Sequence, residues 1–217
     1  MSSFLHIIGV LLALAASGYS LYCTQCISQS KSCVGSNVSC PSDSLCGVSY
    51  SETGYGCDTT NLYVMSCLPQ DECGLSGSAT FPSGVTLRMG SSCCSTSLCI
   101  PTLPSLPWYN SMPNNGLTCG SCKSADSTWC YTSNTIQCTG DENMCLLHTT
   151  KMSGMISMST AFRGCATKSL CNLSSQSYST EDVSAERKFI CTSGSTGLRK
   201  GFILPAVICL FLLNLFI

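Results

Sequence analysis

The chain has 217 residues, a formal charge of -1 and only 10% charged side chains, with its ten Lys and Arg scattered. That balance offers no basic face for nucleic acid or any other polyanion. Twenty residues are cysteine, a density that persists as disulfides only in an oxidising compartment and excludes the reducing cytosol as the working place.

Residues 4–16 form an apolar run of signal-peptide length, followed by the small residues Ser17, Gly18 and Ser20. We expect a signal peptide over residues 1–20, cleaved after Ser20, with Gly18 as the alternative point. No basic residue precedes the apolar run, a departure from the usual pattern.

A first module is expected over residues 21–99, with Cys23, Cys26, Cys33, Cys40, Cys46, Cys57, Cys67, Cys73, Cys93, Cys94 and Cys99. Its segments are short, rich in Thr, Ser, Tyr and Val, and broken by Gly and Pro, which reads as β-structure without any long helix. Residues 46–50 and 62–65 form the arms of a hairpin finger, with Gly54 and Gly56 near its tip. Eleven cysteines cannot all pair internally. Cys57, near that tip, is left over as a free thiol or a candidate for an intermolecular disulfide and a linked homodimer.

Residues 100–117 read as a linker, semi-rigid where Pro101, Pro104, Pro107 and Pro113 occur, ending in Asn114-Asn115-Gly116. Within it, Trp108-Tyr109 is expected to pack on one or both modules rather than face a partner. The second module, residues 118–192, carries Cys119, Cys122, Cys130, Cys138, Cys145, Cys165, Cys171 and Cys191. It opens with the Cys-x-x-Cys spacing of the first, so the two form an internal repeat. Residues 145–150 and 155–162 read as a finger turning near Ser153-Gly154, with Ile156, Met158, Thr160 and Phe162 alternating onto one face. Met152, Met155 and Met158 belong to ordinary finger packing, the alternative being a soft binding surface.

Residues 193–201 hold the small residues Ser193, Gly194 and Ser195 and a polar spacer, and residues 202–217 form an uncharged apolar tail that includes Cys209. As a helix the tail reaches about 24 Å, short of the roughly 30 Å hydrocarbon layer, and Pro205 interrupts it. The pattern matches exchange for a glycosylphosphatidylinositol (GPI) anchor at Ser193 or Gly194, although the spacer is slightly short. A retained span and outright secretion are the alternatives. Two sequons, Asn37-Val38-Ser39 and Asn172-Leu173-Ser174, mark candidate glycosylation sites at Asn37 and Asn172.

Catalytic chemistry finds little support. His148 is the only histidine beyond the leader, no Gly-x-Ser-x-Gly elbow occurs, and Asp71-Glu72 and Asp141-Glu142 read as solvated loop carboxylates. The two Cys-x-x-Cys pairs are far apart and surrounded by further cysteines at disulfide-like spacing, which argues against zinc or an iron–sulfur cluster. No enzyme activity, metal or cofactor is expected.

Four stretches, taken together, resemble the lymphocyte-antigen-6 and urokinase-receptor family. They are Leu21-Tyr22-Cys23-x-x-Cys26, Cys46-Gly47, Cys93-Cys94-x4-Cys99, and Phe162-Arg163-Gly164-Cys165-Ala166-Thr167-Lys168-Ser169-Leu170-Cys171. The resemblance implies an all-β, disulfide-rich fold of two tandem three-finger domains, each projecting hairpins from a disulfide knot. It also implies pairing of Cys23 with Cys46, Cys26 with Cys33, Cys40 with Cys67, Cys73 with Cys93 and Cys94 with Cys99. In the second module it implies Cys119 with Cys145, Cys122 with Cys130, Cys138 with Cys165 and Cys171 with Cys191. Spacing alone leaves the connectivity open. Two departures stand out: Ile100 replaces the family's usual Asn, and the second module ends in Thr192-Ser193-Gly194-Ser195 without the last small-loop bridge.

The function this implies is that of a GPI-anchored protein on the outer leaflet of the plasma membrane, binding an extracellular protein through its fingers in adhesion, receptor or recognition. The two-module layout is also similar to gamma-type phospholipase A2 inhibitors, secreted or anchored, although the apolar tail is foreign to a circulating inhibitor. The urokinase receptor itself has three modules, so its composite cavity does not transfer.

Overall fold

Thr, Ser, Tyr and Val fit a pleated, half-buried surface, and the stretches between cysteines that are rich in them form strands throughout. The computed structural model describes residues 20–108, 112–154, 157–173, 176–179 and 183–193. The expected signal peptide, apart from Ser20, and the apolar tail lie outside these, and among the described residues no helix is long and apolar enough to cross a membrane.

The first module contributes β1 (Tyr22–Ser28), β2 (Ser36–Ser39), β3 (Ser44–Tyr55), β4 (Asp58–Pro69), β5 (Ser76–Thr80) and β6 (Thr86–Cys94). After the linker come β7 (Asn114–Gly120), β8 (Cys122–Ser124), β9 (Thr135–Thr139), β10 (Met144–Gly154), β11 (Met158–Ala166), β12 (Gln176–Ser179) and β13 (Val183–Ser193). One short helix, α1 (Lys168–Cys171), sits between β11 and β12. The repeat is visible in the pairing: β3 lies between β4 and β6, and β10 lies between β11 and β13 in the same antiparallel sense.

Finger arms are longer than the residue pattern suggests. β3 and β4 pair without a break from Ser44↔Pro69 to Tyr55↔Asp58, so the tip is Gly56-Cys57, with Gly56 at φ 62° closing the turn. In the second module β10 and β11 pair as far as Met152↔Met158, so Ser153 and Gly154 begin their connection, near where the sequence places the turn, while pairing on the other edge with Ser184 and Val183 of β13. On that edge β13 extends its ladder two residues past the point where β11 leaves off. Met155 and Ile156 fall outside the described residues; Met152 pairs with Met158, which is exposed.

Tertiary structure joins the modules edge to edge. β11 pairs with β5 at Cys165↔Thr80 and Ala166↔Ala79, making one sheet in the order β12-β13-β10-β11-β5-β6-β3-β4-β1-β2. Beneath the joint, Ala79, Phe81, Val85, Leu87 and Met89 of the first module form a single buried cluster with Leu146, Ala166, Leu170 and Leu173 of the second. Each large side chain there stabilises the docked state by about 1.5–3 kcal/mol relative to exposure.

Two glycines permit this approach. A Cβ on Gly164 would lie 2.1 Å from the Thr80 carbonyl oxygen, and one on Gly77 would lie 2.5 Å from the Leu170 amide nitrogen. Thr167 completes the joint: its Oγ1 accepts from the Leu170 amide as the cap of α1 and from the Ser78 amide across the boundary (3.1 Å).

The linker folds back on the first module. Pro101 and Pro104 are buried, Leu106 packs against the Val48, Tyr50 and Tyr63 cluster, and Ser92 Oγ donates to the Thr102 carbonyl. Those residues occupy the apolar seats, and Trp108 stands 89% exposed beyond them, contrary to the packing expected from sequence. Tyr109 lies outside the described residues.

Candidate functional site

Among the described residues nine disulfides fix the frame: Cys23–Cys46, Cys26–Cys33, Cys40–Cys67, Cys73–Cys93, Cys94–Cys99, Cys119–Cys145, Cys122–Cys130, Cys138–Cys165 and Cys171–Cys191. Bridges side by side form the knots, as where Cys119 Sγ lies 3.4 Å from Cys138 Sγ. The first module's last loop is tied to β1 by Leu98 N–H donating to the Tyr22 carbonyl (2.7 Å). Where the second module lacks that loop, β13 runs on to Ser193, opposite Met144. In the chain-entropy description a bridge closing such a small loop contributes about 2 kcal/mol, against about 3.5 kcal/mol for the long-loop bridges, so its omission is the mildest available.

Cys57 is exposed and unbridged at the tip of the first module's finger. Asn37 is exposed on β2 and Asn172 is exposed just after α1. Ser193 ends β13, while Gly194 lies outside the described residues.

Three features face outward from the frame. On the first module, Arg88 pairs with Glu52, and Tyr50 Oη donates to Glu52 Oε1 (3.0 Å). Burial first, and the Glu52 bond second, push the Tyr50 hydroxyl up to about 12, so it remains a donor. On the second module, the Arg163 guanidinium lies 4.3 Å from the Trp129 ring centroid, beside exposed Ile190. Between the modules and the linker lies a cleft of about 230 Å³ lined by Ser78, Thr80, Trp108, Thr139 and Glu142.

No acid–base pair for catalysis forms around the one histidine among the described residues. His148 is buried between Phe81 (centroids 6.1 Å) and Phe189 (5.1 Å), and its Nε2 has no hydrogen-bond partner. Burial, and secondarily the Arg187 charge, push its pKa down to about 3.

The acidic pairs correct the sequence reading. Glu72 and Glu142 are 1% and 6% exposed, not solvated. Asp-Glu at a turn ordinarily faces water; Glu142 is covered because docking brings Thr80 against it, and no local signal in the sequence reports that. The Arg163–Trp129 pair is likewise made by partners far apart in sequence.

The u-PAR/Ly-6 domain pattern matches residues 19–101 and 115–196. Among curated proteins, "Phospholipase A2 inhibitor NAI" of Notechis ater is 29% identical over 82% of this chain and 89% of its own. "Phospholipase A2 inhibitor 25 kDa subunit" of Naja kaouthia is 29% identical over 78% and 92%. Among solved structures, mouse TEX101 aligns with 79% of this chain and 99% of its own at 20% identity and a TM-score of 0.34. With the domain pattern covering both halves, each knotted by its own bridges, the chain belongs to the u-PAR/Ly-6 domain family as a tandem, mostly β, two-domain member.

Proposed function

We propose that this chain is a non-enzymatic cell-surface protein that captures an extracellular protein through its β-hairpin fingers. In this reading a GPI anchor at Ser193 or Gly194 holds it on the outer leaflet, and Asn37 and Asn172 carry glycans. The observation that carries it is the set of large aromatic side chains standing in solvent on a disulfide-braced frame: Trp108 (89% exposed), Trp129 (57%) and Tyr131 (90%). Exposed aromatics on rigid seats anchor protein interfaces, whereas His148 is buried away from any substrate. Treating cells that express the full chain with phosphatidylinositol-specific phospholipase C should move surface staining into the medium. Staining that resists the enzyme, once an acylated anchor is excluded, rejects the lipid anchor.

Exposed Cys57 extends the proposal to a disulfide-linked homodimer. Non-reducing gels should show a band at twice the monomer mass that Cys57→Ser abolishes; identical migration of the two proteins rejects the dimer.

The names of the Notechis ater and Naja kaouthia relatives favour a second reading, in which the partner is a phospholipase A2. Added to a secreted phospholipase A2 with vesicles, the chain should then slow hydrolysis in proportion to its concentration, and an unchanged rate removes this reading.

A further inference from the structure

We propose that the inter-module cleft is a binding site for an organic cation, a guanidinium or ammonium group on an aliphatic stem, with Glu142 as the counter-charge. Glu142 lines the cleft at 6% exposure. Its Oε1 accepts from Thr80 Oγ1 (2.7 Å), while Oε2 is buried with no partner in the protein. Buried carboxylates are ordinarily paired, yet among the described residues no Lys, Arg or His lines this cleft. Exposed Asp141 adds a second negative charge to the lining.

The carboxylate is held in place. Asn115 Nδ2 donates to the Gly140 carbonyl (2.9 Å) and the Glu142 carbonyl (3.1 Å), and the Glu142 amide donates to the Thr139 carbonyl (3.1 Å). Desolvation raises the Glu142 pKa, with the Thr80 bond and the Thr139 amide opposing it. An arriving cation would relieve that cost.

The cleft's remaining walls select the class of cation. Hydroxyls of Ser78 and Thr139 can accept N–H donors, while Pro107, Trp108 and Met112 present apolar surface for a stem, with an aromatic face among them. Calcium seeks six to eight oxygen ligands at short range, which a cleft walled in part by proline, tryptophan and methionine does not offer. The same chemistry is carried by a free amine and by an arginine or lysine side chain of a partner. The inference needs neither the anchor nor a particular partner, so it stands or falls separately from the function proposed above.

The test is calorimetric titration of the full chain, extracted in mild detergent, with n-butylguanidinium and with its uncharged isostere n-butylurea. Saturable binding of the cation alone, weakened at least tenfold by Glu142→Gln and severalfold by Trp108→Ala, is the expected result. Trp108 is exposed, so its variant reports on the cleft even where Glu142→Gln fails to fold. A parallel titration with the blocked peptide Gly-Gly-Arg-Gly-Gly separates the sources: binding of peptide and small cation indicates a partner side chain, and binding of the small cation alone indicates a free amine. Equal heats from n-butylurea, affinity unchanged in both variants, or competition by millimolar calcium would overturn the proposal.

Discussion

Gly164→Ala should lower stability by about 3 kcal/mol, or about 10 °C in melting temperature, and separate the two modules. The added methyl would meet the Thr80 carbonyl oxygen at 2.1 Å and Phe81 Cδ1 at 3.0 Å. The first of these is backbone, which cannot turn aside as a flexible side chain does. Relief requires β5 and β11 to part, and parting exposes the cluster of Phe81, Leu87, Met89, Leu146 and Leu170 that both modules share. Denaturant unfolding should shift to a lower midpoint with a reduced cooperative slope, and small-angle scattering should show a larger radius of gyration. Gly120→Ala is the control, because a Cβ there meets nothing within 4 Å. A Gly164→Ala protein as stable as that control would show that the modules are not locked through this pairing.

Acidification should loosen the same joint. His148 has a folded pKa of about 3 against an ordinary value of 6.5, because burial among Phe81, Phe162 and Phe189 disfavours its charge and Arg187 faces it with a like one. Below pH 6.5 the unfolded chain therefore binds a proton that the folded chain refuses. Stability falls as pH falls through the window from 6.5 toward 3, at about 1.4 kcal/mol per unit. Between pH 7.5 and 5 the loss should be about 2 kcal/mol. Glu142 works in the opposite sense, since its raised pKa makes the folded state take up a proton first, but nearer the ordinary carboxylate range. Chemical denaturation at pH 7.5, 6.5, 5.5 and 5 measures the slope, and His148→Phe, which keeps an aromatic ring in the stack, should flatten it. A wild-type slope equal to that of the variant would remove His148 as the cause.

Much of the chain was legible before folding was considered. Cysteine density marked a disulfide-built frame, the repeated Cys-x-x-Cys opening marked two modules, and Thr, Ser, Tyr and Val between cysteines marked strands. Finger lengths were not legible, because backbone pairing carries β3 and β4 from Ser44↔Pro69 to Tyr55↔Asp58, past the residues whose pattern marks the arms, whereas the turn signal at Ser153-Gly154 falls where β10 and β11 part. Trp108 was misjudged, since its composition says apolar while Pro101, Pro104 and Leu106 already fill the seats on the module. Glu142 was misjudged for the converse reason: its burial comes from Thr80, 62 residues away.

The sequence by itself determined that this is a disulfide-built, tandem β protein, because bridge-forming residues and strand alternation are local, countable properties, and its cysteine-centred motifs carried the resemblance to the u-PAR/Ly-6 family. Only the tertiary structure decided that the modules share one sheet and one core, that His148 is sealed at their joint, and that Glu142 faces a cleft. Each of these depends on surfaces from distant parts of the chain meeting within van der Waals or hydrogen-bonding range. Such contacts act over a few ångströms in space, and spacing along the sequence carries no record of them.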